Sequence, residues 1–354
     1  MEPRSKDFLK SLFMTPSPSG FEEPIQALVR DYIAPCADLV RTDAHGNVIA
    51  TRNPDSPFRV MLSGHCDQIG FIVNYIDNEG FLYFLQLGGW DPQVLTGQRV
   101  VVYGQNGPVP GVIGKKPIHL LTEEDRKRVP KLQDLWIDIG AANKEEAEKL
   151  VSVGDCATVE LGYRELLNDQ ITAVATDDKA GVWVVMEALS RIDPAKLKVG
   201  VYAVSSVQEE VGLRGAKTSA FGIDPAVGIA VDVTHATDCP TIDKKVNGDI
   251  KVCGGPVLAK GPNLNTRMLN AMRAVATEAG INIQMEAEGR PTGTDANVIQ
   301  VTRAGVATGL LSIPNRYMHT PTEIVSLKDM DAAADLIARY CESLTPETEY
   351  IPGF

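Results

Sequence analysis

Two spacings of apolar residues alternate along the chain, and they predict a mixture of strands and helices. Continuous apolar runs, which are typical of buried strands, lie at residues 60–62, 199–207, 227–233 and 306–313. Apolar positions at helical spacing lie within residues 181–190, 264–279 and 328–344. Strands and helices in alternation predict an α/β fold, with a mixed sheet that is flanked by helices.

The N-terminal segment predicts a helix that begins near Ser19. Ser19 and Glu22 have the spacing of a capping box, in which both side chains bind free backbone N–H groups. The apolar face of this helix would consist of Ile25, Leu28, Val29 and Ile33. We therefore expect the first helix of the protein to begin with this box.

Residues 70–165 have a different character. Short β-like segments at 71–76, 81–85, 100–103 and 109–113 are separated by turn-forming residues, and residues 144–150 could form one helix. The α/β pattern is found on both sides of this region. We therefore predict a catalytic α/β domain, formed by residues 1–69 and 166–354, that is interrupted by a small β-rich insert of residues 70–165.

The charge of the chain narrows the range of partners. Lys and Arg number 34 against 46 Asp and Glu, which gives a net charge of −12. Binding to nucleic acid and to anionic membranes depends on basic patches, so neither partner is expected. The chain has no apolar run long enough to span a bilayer, and its first twenty residues lack the apolar h-region of a signal peptide, so neither a membrane span nor export is expected. Its six cysteines are scattered without a CxxC pair, which favours reduced thiols and a cytoplasmic location.

Carboxylates or imidazoles lie at the ends of five predicted strands, which are the four apolar runs above and a further strand at residues 171–175. The residues are His65 with Asp67, Asp177 with Asp178, Glu209 with Glu210, Asp232, and His319. Ligand sites in open α/β sheets form at the carboxyl ends of strands, so these side chains are expected to converge. Carboxylates and imidazoles are the ligands that divalent transition metals accept. The pattern therefore indicates a metal site.

Each of these residues also has an ordinary explanation when it is taken alone. A single histidine is more often a core or surface residue, Asp177 and Asp178 could cap a helix, and Glu209 and Glu210 could form a solvated turn. Two adjacent carboxylates after an apolar strand repel each other unless a cation neutralises them. One metal site accounts for the whole set. The remaining histidines, His45, His119 and His235, are interpreted as bystanders, although His235, three residues after Asp232, could line a pocket.

The number of ligands favours two metal ions. Five potential ligands arise in this way: His65, Asp177, Glu210, Asp232 and His319. One catalytic zinc needs only three protein ligands, whereas five with one shared carboxylate suit two ions ~3.5–4 Å apart. Glu209 is then free to act as a general base. Alternation in extended chain places Asp67 on the same side as His65, where it could bind the second ring nitrogen.

Residues 205–216, with the sequence SSVQEEVGLRGA, resemble the QEEVGLRGA signature of the glutamyl/deblocking aminopeptidases. These are dinuclear metallo-aminopeptidases that build tetrahedral shells of twelve subunits. Supporting segments are GHCDQIG (64–70), TDDK (176–179), AVDVT (230–234), TGTDA (292–296), RYMHTP (316–321), GGWD (88–91) and GVIG (111–114). The similarity extends from about residue 10 to residue 345.

The resemblance implies a role for each matching residue. His65 and Asp232 would bind one metal, Glu210 and His319 the other, and Asp177 would bridge both. Glu209 would be the general base, Asp67 would orient His65, and the peptide bond after Asp177 would be cis. Gly293, Thr294 and Asp295 would lie beside the substrate. The catalytic domain would have the fold of zinc peptidases, with two Zn or Co ions per subunit. The insert would mediate self-association into a homododecamer, for which a dimer is the alternative.

The chain departs from the family pattern at two positions near the expected site. Many members carry Glu where this chain has Gln68, and Gly where it has Thr292. Neither residue is a proposed ligand. The departures therefore bear on substrate preference and rate rather than on the type of reaction.

The sequence thus predicts an aminopeptidase that hydrolyses the N-terminal residue from peptides. Two ions would activate a water, and Glu209 would take its proton and pass it to the leaving amine. One alternative is a related dinuclear amidohydrolase that acts on N-acyl amino acids. A second is a binding or assembly protein with a decayed site. A third is a glycoside hydrolase with paired carboxylates, in which the histidines would have no role.

Overall fold

A computed structural model describes residues 1–352, which form seventeen strands and nine α-helices. The strands are β1 (Leu39–Thr42), β2 (Val48–Arg52), β3 (Arg59–His65), β4 (Gly70–Ile76), β5 (Leu82–Leu87), β6 (Arg99–Gly104), β7 (Gly107–Gly114), β8 (Trp136–Asp138), β9 (Cys156–Val159), β10 (Tyr163–Glu165), β11 (Gln170–Ala173), β12 (Gly200–Ser206), β13 (Val227–His235), β14 (Val257–Lys260), β15 (Gln284–Ala287), β16 (Ala307–Asn315) and β17 (Glu323–Ser326).

The helices differ widely in length. They are α1 (Pro3–Met14), α2 (Glu23–Ile33), α3 (Lys144–Glu148), α4 (Thr176–Arg191), α5 (Arg214–Ile223), α6 (Lys244–Asn247), α7 (Thr266–Ala279), α8 (Ala296–Ile299) and α9 (Leu327–Ser343). Within the 352 residues described, none of these helices is both long and apolar enough to cross a membrane.

The centre of the molecule is a mixed sheet of eight strands in the order β1-β2-β12-β3-β13-β16-β14-β15. The strands β12, β3, β13 and β16 are parallel to one another, whereas β2 and β14 pair with them in the antiparallel direction. These four strands correspond to the continuous apolar runs of the sequence, as expected for strands that are buried on both faces. Their carboxyl ends therefore meet at one edge of the sheet.

Helices cover both faces of this sheet. One face packs against α1, α2, α4, α7 and α9, and α4 contributes the fully buried Trp183 to that core. The opposite face packs against α5 and α8 through small and apolar residues such as Ala216 and Ile299. The prediction of an α/β fold with a mixed, helix-flanked sheet is confirmed.

The prediction for the first helix is wrong in two respects. The chain begins with α1, which the prediction omits and which buries Phe8 and Leu12. The second helix begins at Glu23 without a side-chain cap, so Ser19 and Glu22 form no capping box. Instead the Ser19 hydroxyl donates a hydrogen bond to Asp67 Oδ2 over 2.7 Å. This long-range contact removes the hydroxyl from the position that a capping box requires.

A closed barrel interrupts the α/β unit. Its strands follow the order β4-β5-β8-β7-β6-β9 and extend from Gly70 to Val159. A separate apolar core fills it, in which Phe71 stacks on Trp90 with ring centroids 5.2 Å apart. The barrel therefore has a core of its own beside that of the large sheet.

A third, antiparallel sheet consists of β10, β11 and β17. This corrects one step of the sequence analysis, because the strand before Asp177 lies in this small sheet and not in the large one. Asp177 is placed instead at the start of α4, in the second position of that helix. The register of the small sheet pairs Ala173 with Glu323.

Candidate active site

The predicted polar residues lie close together at the carboxyl edge of the large sheet. His65 ends β3, Glu209 and Glu210 follow β12, and Asp232 lies in the last part of β13. His319 follows β16 after a short loop. All five side chains are mostly buried except that of His319, which is 34% exposed. Parallel strands thus bring together residues from four distant parts of the chain.

Asp177 lies between the two histidines and contacts both of them. Its Oδ1 is 3.2 Å from Nε2 of His65, and its Oδ2 is 3.2 Å from Nε2 of His319. On the far side, His319 Nε2 is 3.5 Å from Glu210 Oε1. His65 and Asp232 belong to a second group whose ligand atoms lie within 4.8 Å of one another. A further group joins His65 and Asp177 to Glu210, so the Asp177 carboxylate contacts both histidines between two ligand groups that share His65.

The outer nitrogens of the two histidines are fixed by backbone carbonyls. Nδ1 of His65 donates to the carbonyl oxygen of Asp67 over 3.0 Å, and Nδ1 of His319 donates to that of Gly89 over 2.7 Å. The Asp67 carboxylate is 3.4 Å from the same His65 nitrogen, so the expected orienting contact is made chiefly by the backbone. In each neutral ring Nε2 is then an acceptor that faces carboxylate oxygens.

Acceptors that face one another require a positive charge between them. The nearby carboxylates of Asp177 and Glu210 raise the pKa of His319 to about 11, which means that a proton would supply this charge if no cation did. Glu210 Oε1 is buried and has no hydrogen-bond donor. An orphaned carboxylate oxygen beside imidazole nitrogens fits a divalent metal, which takes such ligands.

Crowding of buried carboxylates makes their ionised forms unfavourable unless a cation is present. Burial, together with repulsion from Asp232, Asp295 and Glu210, raises the pKa of Glu209 to about 10. The pKa of Asp232 is raised well above its usual value, again chiefly by burial. Bound cations reverse such shifts because they stabilise the ionised carboxylates. These imidazoles and carboxylates are therefore the ligands expected of a metal centre.

Asp178 also lies within ligand distance of His65 and Asp232, but its oxygens are already engaged. Its Oδ2 accepts the backbone N–H of His65 over 3.1 Å, and its Oδ1 accepts that of Gly181 over 3.0 Å. Asp178 thus ties the start of α4 to the end of β3. The peptide bond between Asp177 and Asp178 is cis, as the resemblance implies.

The side-chain carboxylate of Asp67 binds the backbone of Glu209, the candidate base, and of Glu210. Its Oδ1 accepts the N–H of Glu209 over 2.9 Å, and its Oδ2 accepts the N–H of Glu210 over 3.2 Å. With the bond from Ser19, the carboxylate receives three donors. Asp67 therefore fixes the turn that presents both glutamates, a role that residue spacing alone did not indicate.

The three residues expected beside the substrate lie in different environments. Gly293 is exposed and Thr294 is half-buried, whereas Asp295 is 2% exposed. Oδ2 of Asp295 accepts the hydroxyls of Ser63 and Ser206 over 2.8 and 2.7 Å. Asp295 therefore lies beneath the site, where its negative charge adds to the potential at Glu209.

Gln68 and Thr292, the two departures from the family pattern, each form hydrogen bonds beside the site. Oε1 of Gln68 accepts a 2.7 Å hydrogen bond from the buried ammonium of Lys179, which also donates to the carbonyl of Thr15. The hydroxyl of Thr292 accepts a bond from Asn263 Nδ2 over 3.1 Å. Gln68 is thus linked to the backbone of Thr15 through Lys179, whereas Thr292 binds a neighbouring side chain, and neither residue enters the ligand set.

The barrel reaches the site through the turn at Gly88 and Gly89. Gly88 has a φ of +72°, and a Cβ atom there would lie 2.5 Å from Ile69 Cγ2 and 3.0 Å from Glu210 Oε2. The carbonyl of the next residue binds His319. Only glycine at position 88 lets the turn lie this close to Ile69 and Glu210.

We expect Gly88→Ala to destabilise the protein more than Gly97→Ala, a matched change in the same barrel. Gly97 has a similar φ of +84°, but a Cβ there would have no neighbour within 4 Å. Both variants carry the left-handed backbone cost of about 1–2 kcal/mol. Only Gly88→Ala also overpacks its surroundings, which lowers the free energy of unfolding by a further ~1–3 kcal/mol. Urea unfolding of both variants measures the difference, and equal losses would contradict it.

Two positioning groups were missed by the sequence analysis. The carbonyl of Gly89 left no signal beyond the turn-forming Gly-Gly pair, because any residue supplies a carbonyl. Glu323 lies four residues after His319 and contacts its backbone. Of the histidines regarded as bystanders, His119 and His235 are exposed.

Comparison with known proteins agrees with this geometry. The family model of the M42 glutamyl aminopeptidases matches residues 46–336. The lysyl aminopeptidase of Pyrococcus furiosus is 37% identical over 343 residues, which cover 96% of this chain and 97% of that protein. The chain therefore belongs to the M42 glutamyl aminopeptidase family, and it is a peptide hydrolase.

Solved structures show the same architecture. A TET aminopeptidase from a marine sediment archaeon of the Thaumarchaeota superposes with a TM-score of 0.92 at 36% identity, covering 97% of both chains. The TET1 peptidase of Pyrococcus horikoshii has a TM-score of 0.85 at 32% identity, covering 96% of this chain and all of that one. The latter is described as able to assemble into a tetrahedron or a large octahedral shell.

Proposed function

We propose that this aminopeptidase removes N-terminal residues from peptides with two divalent metal ions and Glu209 as its general base. The observation that supports two ions is the position of Asp177, which offers one oxygen to each histidine over 3.2 Å. His65 and Asp232 would hold one ion, and Glu210 and His319 the other. When bound, such ions lower the pKa of a water and polarise a carbonyl.

We assign both proton transfers to Glu209. Its Oε2 lies 3.8 Å from His65 Nε2, at the edge of the ligand set, and none of the proposed ion positions requires it. Bound cations would offset the burial and the repulsion that raise its pKa, so its carboxylate would be ionised and could accept a proton at Oε2. The same oxygen then gives the proton to the leaving amine. Asp67 holds the backbone of Glu209 in place for both transfers.

We further propose that the chain self-associates through the barrel, as a dodecamer or a smaller oligomer. The relatives described as dodecamers and as tetrahedral shells support this assembly. Native mass spectrometry of the intact chain would give the number of subunits.

Digestion of a peptide library with metal add-back tests the proposed reaction. The chelated protein should be inactive, and zinc or cobalt should restore sequential removal of residues from free N-termini. Matched peptides with acetylated N-termini should resist cleavage. Release of acyl groups from N-acyl amino acids would instead support the amidohydrolase, and no turnover with any ion would support a binding or assembly protein. Activity that survives chelation would contradict a metal mechanism.

A further inference from the structure

Glu323 connects the two sides of the site although no proposed ligand role involves it. It begins β17 and is 2% exposed. Its Oε1 accepts the backbone N–H of His319 over 2.8 Å. Its Oε2 accepts the backbone N–H of Asp177 over 3.0 Å and the hydroxyl of Thr176 over 2.9 Å.

The two backbones that Glu323 joins come from distant segments. Asp177 begins α4, and His319 lies in the loop after β16, so neither segment fixes the other through local structure. The small sheet brings them together, because β17 pairs with β11 and places Glu323 opposite Ala173. One side chain therefore bridges the backbones of the central carboxylate and of a histidine that faces it, beside the bond from Asn315 Nδ2 to the Thr176 hydroxyl over 2.9 Å.

The backbone of His319 also needs such support. Its φ is +59°, in the left-handed region that residues with side chains seldom adopt. A residue held in this region costs about 1–3 kcal/mol and persists only where its surroundings fix it. The hydrogen bond from its N–H to Glu323 is one such restraint.

We propose that Glu323 is a positioning residue that sets the geometry of the metal ligands Asp177 and His319. This inference rests on the proposed function, because it concerns ligands of the proposed ions. Both carboxylate oxygens accept N–H groups, so a glutamine could satisfy only one of them and would turn its own NH₂ towards the other. Aspartate would keep two acceptor oxygens but would be one methylene too short.

Asp329 offers a matched control. It is also 2% exposed, and its two oxygens accept the N–H groups of Cys253 and Gly255 over 2.7 and 2.9 Å. Asp329→Asn therefore creates the same mismatch as Glu323→Gln in a buried carboxylate that contacts no proposed ligand. The comparison separates an effect on metal geometry from a general loss of stability.

Zinc affinity of the full-length wild type, Glu323→Gln and Asp329→Asn should be measured by chelator competition, with thermal unfolding of the metal-free proteins alongside. We expect both variants to lose stability. Only Glu323→Gln should bind zinc more weakly, by the about 10–100-fold typical of lost outer partners. Excess zinc should restore kcat to Glu323→Gln, since its ligands and its base are intact.

Wild-type zinc affinity in Glu323→Gln would overturn the inference and leave the proposed function standing. An equal loss in Asp329→Asn would overturn it as well, because the effect would then be general. If Glu323→Gln does not fold, Glu323→Asp is measured in the same way against the same two outcomes. Failure of the wild type to bind either zinc or cobalt, or to cleave peptides with these ions supplied, would refute the proposed function itself, and the inference with it.

Discussion

Replacing Glu209 with glutamine should lower kcat by about 10²–10⁴-fold, the range that general acid–base catalysis contributes. The amide cannot accept the proton of the attacking water. The backbone N–H of residue 209 still binds Asp67, so the turn should keep its shape. Metal content should therefore stay at the wild-type value. Steady-state kinetics and elemental analysis of the same preparation measure both quantities.

Glu210→Gln is the matched control for this variant, because it changes the neighbouring glutamate in the same turn. Glu210 faces His319 and would bind an ion, so its replacement should reduce metal content, and activity should fall as a consequence. Metal content would then stay at the wild-type value in Glu209→Gln and fall in Glu210→Gln. Near wild-type turnover in Glu209→Gln would remove Glu209 from its role as the base.

Replacing His319 with alanine should have the second largest effect, through loss of a metal ligand. Affinity for one of the two ions should fall by more than the about 10–100-fold that loss of an outer partner costs. Stoichiometry at low free metal should then drop from two ions towards one, and peptide cleavage should fall with it. Titration with zinc, followed by calorimetry or by mass spectrometry under native conditions, measures the stoichiometry.

His235→Ala serves as the control for this measurement. His235 ends β13, the strand that also bears Asp232, but its residue is exposed to solvent. Its removal should leave both metal stoichiometry and turnover unchanged. Two ions bound to His319→Ala with wild-type affinity would exclude His319 from the ligand set.

Part of this architecture is readable from the sequence because parallel strands impose it. Four continuous apolar runs predict buried strands, and parallel pairing brings their carboxyl ends to one edge. This argument suffices to place His65, Glu210 and Asp232 near one another. It does not account for Asp177, which arrives at the same edge from the start of α4 and follows a strand of the small sheet.

The contacts that align the site were harder to predict, since they depend on the folded backbone. The carbonyl of Gly89 is chemically the same as that of any other residue, and only the tertiary structure places it against His319. Ser19 has the spacing of a helix cap, but its hydroxyl binds Asp67, forty-eight residues later. Local pattern cannot distinguish these uses of a residue.

The contact between the Gly88–Gly89 turn and His319 limits which sequence changes the barrel can accept without disturbing the α/β unit. An insertion or a shift in the barrel that moved this turn would also rotate an imidazole in the neighbouring unit. Trimming the barrel to obtain a minimal enzyme would leave Nδ1 of His319 without its acceptor. Substitutions on the barrel surface should therefore leave the active site intact only if the Gly88–Gly89 turn keeps its position.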